Sequence, residues 1–156
     1  MSTKLHIHQL LENIKSGIPK ELDIVIDGGA FNGFYTLGAL MYLKEMEKKK
    51  MCKVVRVSGC SVGSILGALY LTDSLDLMVD KFKQIRKCIK QNRNIRVVQE
   101  QMIHLLNDAF KDKKIELLNQ RLFINYYNID EKKSIVIDTF TDVEYLVDTI
   151  LKSSYL

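Results

Sequence analysis

The chain has 156 residues, 47% of them hydrophobic, and its 23 Lys and Arg against 19 Asp and Glu give a net charge of +4. A chain of that length folds as one domain and buries about 68–70% of its unfolded surface, enough for a core without covalent staples. The charge is mild and scattered, with no basic stripe interleaved with aromatics, which excludes nucleic acid as the expected partner; the densest cluster, Lys48-Lys49-Lys50, reads as solvating a helix end.

Residues 1–20 open with Ile7, Leu10, Leu11 and Ile14 on one helical face, ended by Gly17 and Pro19. Glu12, His6 and His8 stand where a signal peptide needs an apolar block, so export is not expected. Leu22–Asp27 (LDIVID) is a short β-branched run that reads as a buried strand, and it leads directly into Gly28–Gly33 (GGAFNG). Leu37, Leu40, Met41 and Lys44 then mark a helix that fades in the lysine cluster. Val54–Val57 reads as a second buried strand, followed by SGCSVGS and the apolar helix SILGALYL. Strand, glycine loop, helix, repeated twice, implies a mainly parallel sheet with helices on its faces.

Two amphipathic helices follow, the first on Leu75, Met78, Val79, Phe82, Ile85 and Ile89, the second on Ile95, Val98, Met102, Leu105 and Leu106. Leu122–Tyr127 and Ser134–Asp138 read as two further strands joined by a polar turn. Thr141 and Glu144 have the spacing of a capping box that opens a last helix carrying Val143, Leu146, Val147 and Ile150. Met41, Met46, Met78 and Met102 read as core, and His104 as a polar boundary residue. The longest apolar run, Ile65–Leu71, has seven residues, against the ~20 of a membrane span. Cys52, Cys60 and Cys88 are odd in number and unmatched in spacing. They support neither a disulfide framework nor a zinc site, and they suit a reducing compartment, so the expected location is cytoplasmic.

Two segments carry chemistry. Gly59-Cys60-Ser61-Val62-Gly63 fits G-x-S-x-G, a sharp strand-to-helix turn that lifts a serine hydroxyl out of the sheet edge. The helix N-terminus behind Ser61 favours its alkoxide and an oxyanion formed by its attack. Cys60 is read as a small buried filler of that bend. Asp27-Gly28-Gly29-Ala30-Phe31-Asn32-Gly33 also joins a strand to a helix, and its bare glycines let amides approach a ligand. A dinucleotide loop needs glycine where Ala30 stands, and the lysine and hydroxyl of a P-loop are missing. The loop therefore serves a developing oxyanion, a phosphate, or only a tight turn. Phe31 and Phe34 either line an acyl pocket or pack the loop.

An Asp-Gly-Gly loop after the first strand, with G-x-S-x-G about thirty residues further on, resembles the patatin-like phospholipase family. The resemblance extends over 22–156, including the strand pair and the final helix VEYLVDTILKSSYL. It implies a three-layer α/β/α fold and a Ser–Asp dyad that hydrolyses phospholipid or other acyl esters without a metal, a cofactor or a catalytic histidine. Ser61 is then the nucleophile, and amides around Gly28, Gly29 and Ala30 form the oxyanion hole. Asp27, Gly33, Gly59, Cys60, Val62 and Gly63 complete the two motifs, and membrane contact is peripheral. Two departures stand out: Asn32 occupies the family's usual Arg or Lys position, and Gly67 is the last glycine after Gly63, so no second Asp-Gly motif follows. Asp130, Asp138, Asp142 and Asp148 fit that role in none of their predicted settings. The domain is therefore expected to be incomplete at its C-terminus, as the front of a longer protein or as a truncated lipid-binding or regulatory module without catalysis.

Overall fold

Alternation of apolar and polar side chains builds the sheet. In the computed structural model, which describes residues 11, 20–29, 32–79, 81, 87 and 95–154, strand β1 (Glu21–Ile26) turns Leu22, Ile24 and Ile26 inward and Glu21, Asp23 and Val25 outward. Helix α1 (Gly33–Lys48) leads to β2 (Lys53–Gly59), and α2 (Val62–Leu71) follows. The chain is helical again over 75–79 and through α3 (Ile95–Phe110). A 3-10 turn, Ile115–Leu118, precedes the hairpin of β3 (Leu122–Asn128) and β4 (Lys133–Ile137), and α4 (Val143–Ser154) closes the described chain.

The strand order is β1-β2-β3-β4, with the first two pairings parallel and the hairpin antiparallel. This is the expected α/β class with a mainly parallel sheet. Ile26 pairs with Gly59, and Gly59 with Ile124, so the carboxyl ends of β1 and β2 are level. That register sets the two glycine loops side by side.

Helix α2 is buried from Gly63 through Tyr70 and touches β1, β2, β3, α1 and α4. Gly67 seats it on the sheet: a Cβ there would stand 2.9 Å from Val57 Cγ1. Around it gather Leu37 and Leu40 from α1, Leu105, Leu106 and Phe110 from α3, and Leu146 and Ile150 from α4. The opposite face of the sheet carries Asp23, Val25, Arg56, Tyr127 and Val136, all exposed. Among the described residues two of the three expected layers are thus in view. On the open face the Arg56 guanidinium bridges β2 to Asp23 of β1 and holds that carboxyl below its ordinary range.

Met46, Met78 and Met102 are buried and His104 is exposed, as the spacing predicts. The predicted N-terminal helix, with His6 and His8, lies outside the described residues apart from Leu11, which packs with Met46 and Cys52. Phe82, Ile85, Cys88 and Ile89 also lie outside them. The capping box does not form. Asp142 caps α4 instead, its Oδ1 accepting the Tyr145 N–H at 2.8 Å while its Oδ2 accepts the Thr141 hydroxyl at 2.9 Å. A carboxylate next to the helix start is a stronger acceptor than the hydroxyl one residue earlier. Among the described residues no helix is long and apolar enough to cross a membrane.

Candidate active site

Ser61 sits where β2 turns into α2, with φ 52° and ψ −128°. A side chain in this left-handed region is strained by about 1–3 kcal/mol and persists only where its surroundings fix it. The flanking glycines make the bend possible. A Cβ on Gly59 would lie 2.5 Å from the Gly63 carbonyl, and one on Gly63 would lie 2.4 Å from the Ile26 carbonyl oxygen. The first turn of α2 therefore rests directly on the end of β1. The Ser61 carbonyl accepts the Ser64 N–H at 2.9 Å and the Ser64 hydroxyl at 2.6 Å.

The first loop meets this elbow at two points. A Cβ on Gly28 would stand 3.4 Å from both Ser61 Cβ and Cys60 Sγ, and one on Gly33 would stand 2.7 Å from Val62 Cγ2. Glycine at 28 leaves a narrow gap beside the serine. The loop turns back on itself through Asn32 N–H to the Gly29 carbonyl at 2.8 Å, with Gly29 at φ 147°. Asp27 Oδ1 accepts the Gly28 N–H at 2.8 Å and lies 3.7 Å from Cys60 Sγ. Cys60 is half-buried, not the fully buried filler expected of that position. Asp27, Gly28, Gly29, Gly33 and the whole 59–63 segment thus share one edge of the sheet. Ala30 and Phe31 lie outside the described residues, and Phe34 is 38% exposed.

No hydrogen bond engages the Ser61 hydroxyl among the described residues. None of the four aspartates weighed from the sequence makes a hydrogen bond to Ser61. Asp142 caps α4, Asp148 pairs with Lys152 at 2.5 Å, Asp138 Oδ1 accepts the Thr139 hydroxyl, and Asp130 lies in the exposed hairpin turn. What does reach the elbow was not read from the sequence. The Ser61 N–H donates to Ser153 Oγ at 2.9 Å, and the Ser153 hydroxyl donates to the Asn125 carbonyl at 2.7 Å. Asn125 Nδ2 in turn donates to Ser58 Oγ at 2.7 Å. Neither Ser153 nor Asn125 belongs to a local motif, so only tertiary packing brings them in. A surface hollow lined by Met41, Lys44, Asp73 and Asp76 among others contains none of the motif residues.

Ser61 thus stands on a left-handed turn between a parallel strand and a helix, in a chain of the α/β class. The family model for patatin-like phospholipase matches residues 24–156, a span that includes both glycine loops, the second half of β1, all of β2, β3 and β4, and α4. The chain belongs to the patatin-like phospholipase family, whose members are lipid acyl hydrolases. Neither the curated proteins nor the solved structures return a match.

Proposed function

We propose that the chain hydrolyses acyl esters of lipids through Ser61. The hydroxyl oxygen attacks the ester carbonyl while its proton passes to a general base that the described residues do not supply. The base returns that proton to the departing alcohol as the tetrahedral intermediate collapses, and water cleaves the acyl-enzyme to the fatty acid and free Ser61. Amides of the 28–30 loop hold the oxyanion. The Gly28 N–H joins them once the Asp27 carboxylate turns away from it. Each such donor is worth about 3–4 kcal/mol in the transition state. The substrate is a phospholipid or another acyl ester, met at a membrane periphery from the cytoplasm. The reaction draws on serine and amides and calls for no cofactor.

The observation that carries this reading is the approach of Gly28 to the bend, where an added Cβ would stand 3.4 Å from Ser61 Cβ, so that among the described residues the serine lies beside the bare glycine loop. A fluorophosphonate probe should label the full chain at Ser61, and Ser61→Ala should abolish that labelling. A second reading, a non-catalytic lipid-binding module, is favoured by the absence of any acceptor for the Ser61 hydroxyl among the described residues. Co-sedimentation with phosphatidylcholine vesicles, without probe labelling, would select it.

A further inference from the structure

Three hydroxyl side chains line the second half of α4, and they behave differently. Thr149 Oγ1 donates to the Tyr145 carbonyl and Ser154 Oγ to the Ile150 carbonyl, each at 2.8 Å and each within the helix. Ser153 alone turns away from its own helix. Its single proton goes to the Asn125 carbonyl of β3, which leaves a lone pair to receive the Ser61 N–H from a residue 92 positions earlier in the chain. Asn125 is itself tied to β2 through Ser58. The direction of donation is fixed along the whole line, from Ser61 N–H to Ser153 Oγ–H to the Asn125 carbonyl.

We propose that Ser153 is a positioning residue for the nucleophile: its hydroxyl pins the backbone of Ser61 in the left-handed turn, so that the end of α4 sets the direction of the Ser61 side chain toward Gly28. The inference rests on the hydrolase reading of that serine. The strain at Ser61 demands an outside constraint. Among the described residues the Ser61 carbonyl is held from within α2, by Ser64 and by the Ile65 N–H, and the hydroxyl has no partner. Among the described residues the amide is thus the polar group of Ser61 itself that is held from outside α2, and Ser153 is what holds it. A shift of about 1 Å in a reacting group can cost ~100-fold in rate, so a loose elbow is a slow one.

The test compares the full chain with Ser153→Ala, Ser153→Thr and Ser154→Ala. Amide exchange at Ser61 is followed by NMR, and fluorophosphonate labelling is resolved into a maximal rate and a half-saturation concentration. Ser153→Ala should speed Ser61 amide exchange by about tenfold or more. It should lower the maximal labelling rate by about 10–100-fold while half-saturation stays put. Ser153→Thr should restore most of both, and Ser154→Ala should match wild type. If Ser153→Ala lowers the melting temperature too far, Ser153→Cys keeps the volume, weakens the acceptor and should show the same pattern. Wild-type exchange and labelling in Ser153→Ala, or an equal effect from Ser154→Ala, would overturn the proposal. A wild-type chain that takes no probe sinks the hydrolase reading instead, while the exchange comparison still decides whether Ser153 holds the elbow.

Discussion

The two ends of β2 are built on opposite plans. At its start, the Val54 N–H donates to Glu47 Oε1 at 2.6 Å, and Glu47 Oε2 accepts the Tyr70 hydroxyl at 2.5 Å. Lys44 lies 3.7 Å from the same carboxylate, donates to the Tyr70 carbonyl at 3.1 Å and sits 4.6 Å above the Tyr70 ring. One carboxylate thus locks the last turns of α1 and α2 to the sheet, and burial together with Glu47 pushes the Tyr70 phenol far up. At the other end of β2 stand small residues, a strained serine and a hydroxyl without a partner among the described residues. Satisfied polar groups hold the foot of the strand, whereas the head is held by close backbone packing and keeps a strained serine. The contrast makes different outcomes for substitutions at the two ends.

The largest effect belongs to the head, because its tightest contacts are backbone against backbone. Gly63→Ala would set a methyl 2.4 Å from the Ile26 carbonyl oxygen, which neither strand nor helix can yield without breaking the β1–α2 seat. We expect a loss on the order of 3–5 kcal/mol, read by urea unfolding. Gly38→Ala is the counterpart. That glycine lies within α1 with nothing within 4 Å of the added carbon, so alanine should stabilise by about 0.5–1 kcal/mol. Equal gains at the two positions would mean that helix propensity, not the contact with Ile26, governs both.

At the foot, Glu47→Ala strands a buried phenol and a strand amide together and should cost about 2–4 kcal/mol; Tyr70→Phe removes one donor and should cost about 1–2. Neither should alter the probe labelling of folded protein, since both act at the far end of β2. A Tyr70→Phe chain that folds fully yet no longer labels would break the division between the two ends.

Ser61→Gly sharpens the comparison in the other direction. Glycine tolerates φ 52° without a Cβ penalty, so the variant should gain about 1 kcal/mol while losing all labelling. Ser61→Ala, which keeps the Cβ, should lose labelling without that gain. A destabilised Ser61→Gly would show that the serine is not strained.

Local patterns in the sequence carry the head's motifs and most of the secondary structure. The β-branched runs announce β1 and β2, and the spacing of Gly59 and Gly63 around Ser61 follows from a bend that admits no side chain on either flank. The foot is invisible by the same means. Glu47 and Tyr70 lie 23 residues apart on two helices, and either alone reads as an ordinary surface or core residue. Ser153 is hidden for the same reason, because a serine near a helix end has a local partner by default and only the packing of α4 against β3 gives it another. The short 3-10 turn at Ile115–Leu118 carries no periodicity to detect. Thr141 and Asp142 are competing caps one residue apart, and sequence spacing favours the hydroxyl that the structure passes over.

Asp142 gives the smallest of the expected effects and bears on what docks α4. Hydrogen bonds from the Tyr145 N–H, the Thr141 hydroxyl and the Glu144 N–H hold its carboxyl below the ordinary value of 3.8. A carboxylate depressed in the folded state contributes stability that is fully present above its unfolded value and disappears as pH falls through the folded one. Wild type should therefore melt slightly higher than Asp142→Ala at pH 7, with the gap closing below pH 3.8. The far end of α4 should be indifferent to the change. Leu146 and Ile150 are fully buried against the core and hold the helix in place without its cap. Ser61 amide exchange in Asp142→Ala should then match wild type at pH 7. If it quickens as in Ser153→Ala, the cap and the elbow are one cooperative unit, and the head of the molecule is held by the whole of α4 rather than by a single hydroxyl.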